Sequence, residues 1–173
     1  MNFWDEKNDT VMPPTMEGVY QSPGHLIRRC QQISASIFAE ELGEFGLTPV
    51  QYASLLMIRD KPGIDQRSLG RLIAIDRSTI GTVTKGLEDK SLIMRSVPQD
   101  NLRIKIMNIT SEGEALLSQT VQQIARVQQR LMAPLSKDEQ AVFLSLLSRV
   151  VDVNNAHSRA PLVISSAESR PKS

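Results

Sequence analysis

The chain has 173 residues, 40% hydrophobic and 23% charged, with a net charge of +1. That is enough for one well-buried core, ordinary for a globular protein, and too balanced for total charge to name a partner. The opening MNFWDEKNDT is acidic and lacks an apolar stretch, and no apolar run exceeds the four residues of Leu55–Ile58; both argue against an export leader or a membrane span. The expected location is therefore cytoplasmic, and a single cysteine, Cys30, suits a reducing compartment. One Trp, two Tyr and four Phe leave a core of Leu, Ile, Val and Met, which suits helix packing.

Residues 1–18 hold a Pro13-Pro14 pair and no period, and read as a disordered arm. From Pro23 to about Phe45 the chain reads as a helix, with Leu26, Cys30, Ile33 and Ile37 at helical spacing. Gly46 breaks it. Thr48 then caps a second helix with Pro49 at its first position, and that helix stops before Lys61-Pro62-Gly63. A short third helix begins near Asp65. After a turn over Ile73–Asp76, Asp76 caps a fourth that ends near Lys90. The β-prone runs 92–97 and 103–109, joined by Pro98 to Leu102, read as a hairpin. Thr110 caps a fifth helix that runs to Pro134, and Ser136 with Glu139 forms a capping box for a sixth. Beyond His157 no pattern remains, and residues 157–173 read as a disordered tail.

The order α-α-α-α-β-β-α-α is mainly helical with a small hairpin, the layout of a winged helix-turn-helix, whose second helix enters the major groove of DNA. The fourth helix fits that role. Ile80, Val83 and Leu87 share one face, and Ser78, Gly81, Thr82 and Lys85 lie opposite. Hydroxyls can bond phosphates and base edges, glycine permits close approach, and lysine neutralises phosphate. From Arg67 to Lys105 there are eight basic residues against four acidic ones, a net of +4 in a chain of +1. Such a local basic segment is the footprint of phosphate binding. Arg103 could reach an adjacent minor groove, or stay a solvated hairpin charge.

The run SLGRLIAIDRSTIGTVTKGLEDKSLIMR, the Asp/Arg-containing turn after it and ITSEG together resemble the multiple-antibiotic-resistance regulator (MarR) family, over roughly residues 24–152. Ser78 and Thr79 match the family's ST, and Thr110 and Gly113 its LTxxG. The resemblance implies one domain over 19–156, with a winged helix at about 48–110 and dimerisation helices at about 23–45 and 110–156. It also implies a homodimer on a pseudo-palindromic operator in double-stranded DNA, with two recognition helices roughly 34–36 Å apart. The expected DNA contacts are Ser78, Thr79, Thr82 and Lys85 in the groove, Arg77 and Ser68 on phosphate, and Arg103 in the wing. Two departures bear on the operator. Gly81 and Thr82 stand where members often carry Thr and Arg, and the wing's Asp-x-Arg becomes Asn101-x-Arg103 with Asp100 one step early.

Members of this family typically release DNA on binding a small, often aromatic and anionic compound. GHLIRRCQQI and DRSTIG are similar to regulators of aromatic-acid breakdown, nicotinate-type compounds among them. Here His25 and Arg29 stand at i, i+4 beside the apolar arc of the first helix. With Tyr52 they could hold an aromatic carboxylate; the competing reading pairs Arg29 with a glutamate across a dimer and leaves His25 on the surface. Cys30, expected in the buried stripe, reads as packing rather than as a redox sensor. Two histidines and one cysteine give no zinc-ligand spacing, so no metal or other cofactor is expected. No phosphate loop, nucleophile elbow or His/Ser or His/Cys pair points to an enzyme. The alternatives are a constitutive or redox-responsive DNA-binding regulator and a winged-helix protein-interaction module.

Overall fold

The computed structural model describes residues 15–98 and 104–163. Helix α1 spans Met16–Gln21, with the Thr15 hydroxyl accepting from the Gly18 amide, so residues 16–18 of the expected arm are helical. Ser22 caps α2, Pro23–Leu42, which a 3₁₀ turn at Gly43–Phe45 closes. In α3, Pro49–Asp60, Thr48 and Gln51 exchange side chain-to-backbone bonds in a full capping box. A two-residue strand, β1 (Ile64–Asp65), precedes α4 (Gln66–Leu72) and α5 (Arg77–Asp89). Strands β2 (Ile93–Ser96) and β3 (Ile106–Ile109) form the wing, and the antiparallel sheet has the order β1-β3-β2.

Strand β1 was not read from sequence. Two residues carry no period, and their pairing, Ile64 with Met107, comes from more than forty residues away. The expected fifth helix is two, α6 (Ser111–Gln119) and α7 (Val121–Met132). They meet at buried Thr120, whose hydroxyl donates to the Leu117 carbonyl at 2.9 Å. Such back-bonding competes with the helical ladder and bends the chain. Helix α8, Lys137–Asn154, starts on the expected Ser136–Glu139 box. Past a 3₁₀ turn at Asn155–His157, the segment expected to be disordered is tied down as far as Val163. The Asn155 side chain bonds both backbone groups of Leu162, and the Val163 amide donates to the Arg71 carbonyl at 3.1 Å.

The main core lies in the lobe built from α3, α4, α5, the sheet and α6. Leu55, Ile58, Leu69 and Leu87 are fully buried there with Ile80, Met107 and Leu117. Each such side chain contributes about 1.5–3 kcal/mol by leaving water. A smaller cluster, Phe38, Leu42 and Val127, joins α2 to α7, and Phe45 and Tyr52 pack against both clusters. Arg126 and Arg130 of α7 reinforce that joint by pairing with Glu41 at 2.7 and 2.8 Å. The other half of α2 is bare. Leu26 and Ile33 are 51% and 43% exposed, and Cys30, expected in a buried stripe, is exposed too because none of the described residues covers that face.

Candidate nucleic-acid interface

Two aspartates set the helix-turn-helix. Asp65 caps α4 by accepting from the Arg67 and Ser68 amides, and Asp76 caps α5 by accepting from those of Ser78 and Thr79. The turn between them is closed by the Ile75 amide on the Gly70 carbonyl at 2.8 Å. A Cβ on Gly70 would lie 2.9 Å from the Ile75 carbonyl oxygen, so the residue must be glycine for the turn to fold this tightly. Ala74 takes the left-handed φ of 55° that completes it.

Helix α5 then buries Ile80, Thr84 and Leu87 against the lobe. Ser78, Thr82 and Lys85 are exposed on the opposite side, as the spacing predicted, and Arg77 is exposed at the N-terminal end of the helix. Lys85 lies 3.8 Å from Asp89, both well exposed, a pairing weak enough for a phosphate to displace. The Thr82 hydroxyl makes no hydrogen bond within the described residues. Gly81 is half-buried rather than open to a partner: a Cβ there would meet the Gln66 Nε2 of α4 at 3.5 Å.

The hydroxyls of Ser78 and Thr79 both donate to the Asp76 carboxylate, Thr79 at 2.7 Å. Those bonds, the Ser78 hydroxyl foremost, hold the Asp76 carboxyl well below the usual carboxylate range. Ser68 is committed the same way, its hydroxyl donating to Asp65 at 2.6 Å. Burial pushes the Asp65 carboxyl up, but the bonds from Ser68 and the Arg67 amide outweigh it and leave it below its ordinary value. A phosphodiester oxygen only accepts hydrogen bonds, so a hydroxyl that has given its hydrogen to a carboxylate has none left for it. Ser78 and Thr79 keep lone pairs for base amino groups, whereas Ser68 is first of all part of the α4 cap. Arg103, Asp100 and Asn101 lie outside the described residues.

Not all of the basic segment faces outward. Lys90 donates to the Gly46 carbonyl, and Arg95 pairs with Glu88 and Thr84. Arg67, Arg71, Arg77, Lys85 and Lys105 remain exposed. Sequence reading missed Thr84 and Gln66, although 100° per residue already puts Thr84 about 40° from Ile80. Where α6 leaves the wing, a Cβ on Gly113 would strike the Leu92 carbonyl and lie 2.7 Å from Ile109 Cγ1, which gives the glycine of ITSEG its physical reason.

The residues proposed to hold a ligand do not share a contact within one chain. His25 meets the Tyr20 ring edge-on at 5.4 Å and Arg28 at 3.4 Å, and Arg29 reaches Gln32 at 3.4 Å. Tyr52 packs on Phe38, with ring centroids 6.2 Å apart, and Phe38 stands nine residues past Arg29, about 14 Å along the helix. Among the described residues no three His, Cys, Asp or Glu side chains could hold a metal, and no helix is long and apolar enough to cross a membrane.

This arrangement has counterparts. The MarR family model matches residues 47–105, from the start of α3 through the hairpin turn. PcaV of Streptomyces coelicolor, solved in complex with its natural ligand, is 35% identical with a TM-score of 0.74, over 82% of this chain and 98% of that one. The chain belongs to the MarR family. The MarR-type repressor NicR of Pseudomonas putida is 28% identical over 134 residues, 78% of this chain and 85% of NicR. BpsR of Bordetella bronchiseptica, whose DNA binding is regulated by 6-hydroxynicotinic acid, shares 25% identity at a TM-score of 0.74, over 82% and 99% of the two chains. As a MarR-type protein the chain is a transcriptional regulator on a winged-helix scaffold.

Proposed function

We propose that the chain is a cytoplasmic, homodimeric repressor, not an enzyme, which binds a pseudo-palindromic operator and is released by a small aromatic acid. The observation that carries the DNA reading is α5 itself: one face is locked into the lobe core, the opposite one presents Ser78, Thr82 and Lys85, and Arg77 is exposed at its N-terminal end. Thr79 stands with them at the capped end, Ser68 and Arg77 flank the phosphates, and Arg103 serves the wing. Homodimerisation is supported by the bare half of α2 and by α8, which has no buried residue although Phe143, Leu147 and Val150 line it.

A second copy also bears on the ligand. His25 and Arg29 sit on the uncovered half of α2, whereas Tyr52 sits at the α2–α3 joint. An acid between the dimer helices and the reading lobe can meet a cation from one copy and the tyrosine of the other. The similarity to BpsR, whose DNA binding 6-hydroxynicotinic acid regulates, supports an aromatic, nicotinate-type carboxylate. Release follows if the ligand prefers a spacing of the two α5 helices that does not match the operator; DNA must then weaken ligand binding by the same factor.

The test is fluorescence anisotropy on DNA from upstream of the chain's own gene, at two salt concentrations, with and without a panel of aromatic carboxylates. Tight, salt-dependent binding that one acid abolishes is expected. Binding that no acid alters would leave a constitutive or Cys30-dependent regulator, and no binding at low salt would sink the DNA reading in favour of an interaction module. Lys85→Ala should weaken binding and lower the salt slope by about one counterion; an unchanged slope would remove Lys85 from the interface.

A further inference from the structure

Arg95 lies on β2, in the basic segment that suggested phosphate binding, yet its side chain is only 19% exposed. Its Nη2 donates to Thr84 Oγ1 at 3.0 Å, and its Nε lies 3.1 Å from Glu88 Oε2. Thr84 and Glu88 stand one turn apart on α5, so a single guanidinium grips the recognition helix at two successive turns. Thr84 is fully buried, its hydroxyl donating to the Ile80 carbonyl at 2.9 Å with Gln66 Oε1 of α4 at 3.4 Å. Wing, recognition helix and the first helix of the motif therefore converge on one hydroxyl.

Such a guanidinium is a fixed brace: its charge is balanced by Glu88 at ion-pair distance, with Nε not aligned for a hydrogen bond, and its Nη2 is committed to Thr84. Groove contacts from α5 and backbone contacts from the wing can form together only if the two keep a set angle. We propose that Arg95 is a positioning residue for DNA reading, which fixes the wing against α5 through Thr84 and Glu88 and touches no phosphate itself. The proposal rests on the DNA-binding reading above, but its first test does not need DNA.

Thr84→Val keeps the branched shape and the net charge while removing the acceptor. In the DNA-free protein it should speed amide exchange in β2 and β3 and leave the α5 amides of Thr84 through Leu87 protected. Unchanged wing exchange would overturn the brace. In the anisotropy assay, Thr84→Val and Arg95→Gln should each weaken operator binding, Arg95→Gln about tenfold, at every salt concentration, with the double variant no weaker than Arg95→Gln alone, because Thr84→Val breaks one of the contacts that Arg95→Gln removes. The slope of log affinity against log salt should stay at the wild-type value. A slope lowered by about one in Arg95→Gln would mean a direct phosphate contact, and additive losses would mean two independent roles; either overturns the proposal. Arg95→Lys keeps the charge without the two-pronged reach and should behave like Arg95→Gln, whereas full rescue would overturn it. If the wild-type protein binds no DNA, the repressor reading fails, and the exchange measurement still decides whether Arg95 braces the wing.

Discussion

Leu87 of α5 and Val150 of α8 are both apolar residues on amphipathic helices, and the chain treats them differently. Leu87 is fully buried, packed in the lobe with Ile80, Leu69 and the wing residue Met107. Val150 is 49% exposed, and neighbouring Phe143, Leu146 and Leu147 are 37–48% exposed. The reading lobe closes its core from its own sequence. Helix α8 and the first half of α2 carry the same kind of stripe with nothing among the described residues to cover it. A row of large apolar side chains left in water marks an interaction surface, and here it coincides with the helices that the family resemblance assigns to dimerisation. One region is a finished domain, and the other is, on the proposal above, half of a shared core.

The widest split between the two regions should come from charging the unfinished one. Phe143→Asp with Leu147→Asp should yield a monomer by sedimentation and lower operator affinity by about 10²-fold or more, through loss of two-site binding. The lobe should keep its native circular dichroism and wing exchange. A dimer that survives this double change would move the interface away from α8. Leu87→Ala tests the finished core and should cost about 2–5 kcal/mol in urea unfolding by leaving a cavity. If Leu87→Ala left stability unaltered, the lobe would not stand on its own core.

Asp76 gives the smallest and most local effect. Its folded-state pKa lies below the ordinary 3.8, so its capping contribution is complete above that value and is lost as pH falls through the lower folded-state value. The stability difference between wild type and Asp76→Ala should therefore be flat from pH 5 to 8 and shrink only in stronger acid. A difference that varied near neutrality would point to another titrating group. The same substitution frees the Ser78 and Thr79 hydroxyls, so operator affinity reports whether their hydrogens are better used on DNA or on the cap.

Much of this was legible in the residues because it is local. A cap needs one side chain and an amide two or three residues away, so Thr48, Asp65, Asp76, Thr110 and Ser136 announce their helices. The outward face of α5 follows from the period of Ile80, Val83 and Leu87. The hairpin follows from two β-prone runs around a turn. Part of what was missed or misjudged depends on residues distant in sequence. Strand β1 exists because Met107 and Ile106 lie beside it. Gly81 faces Gln66 rather than solvent because α4 crosses there.

The sequence by itself determined the winged-helix order, the caps at Thr48, Asp76, Thr110 and Ser136, the recognition face and the family, since each rests on spacings within a turn or two. Only the tertiary structure decided which charges remain available. It turned Arg95 inward onto Thr84, tied Lys90 to Gly46, and committed the hydroxyls of Ser68, Ser78 and Thr79 to carboxylates. It also left Cys30 and α8 uncovered within one chain. The physical reason is range. Backbone propensity and capping act over a few residues, whereas burial and charge pairing depend on what the folded chain, or a second copy of it, brings within a few ångströms.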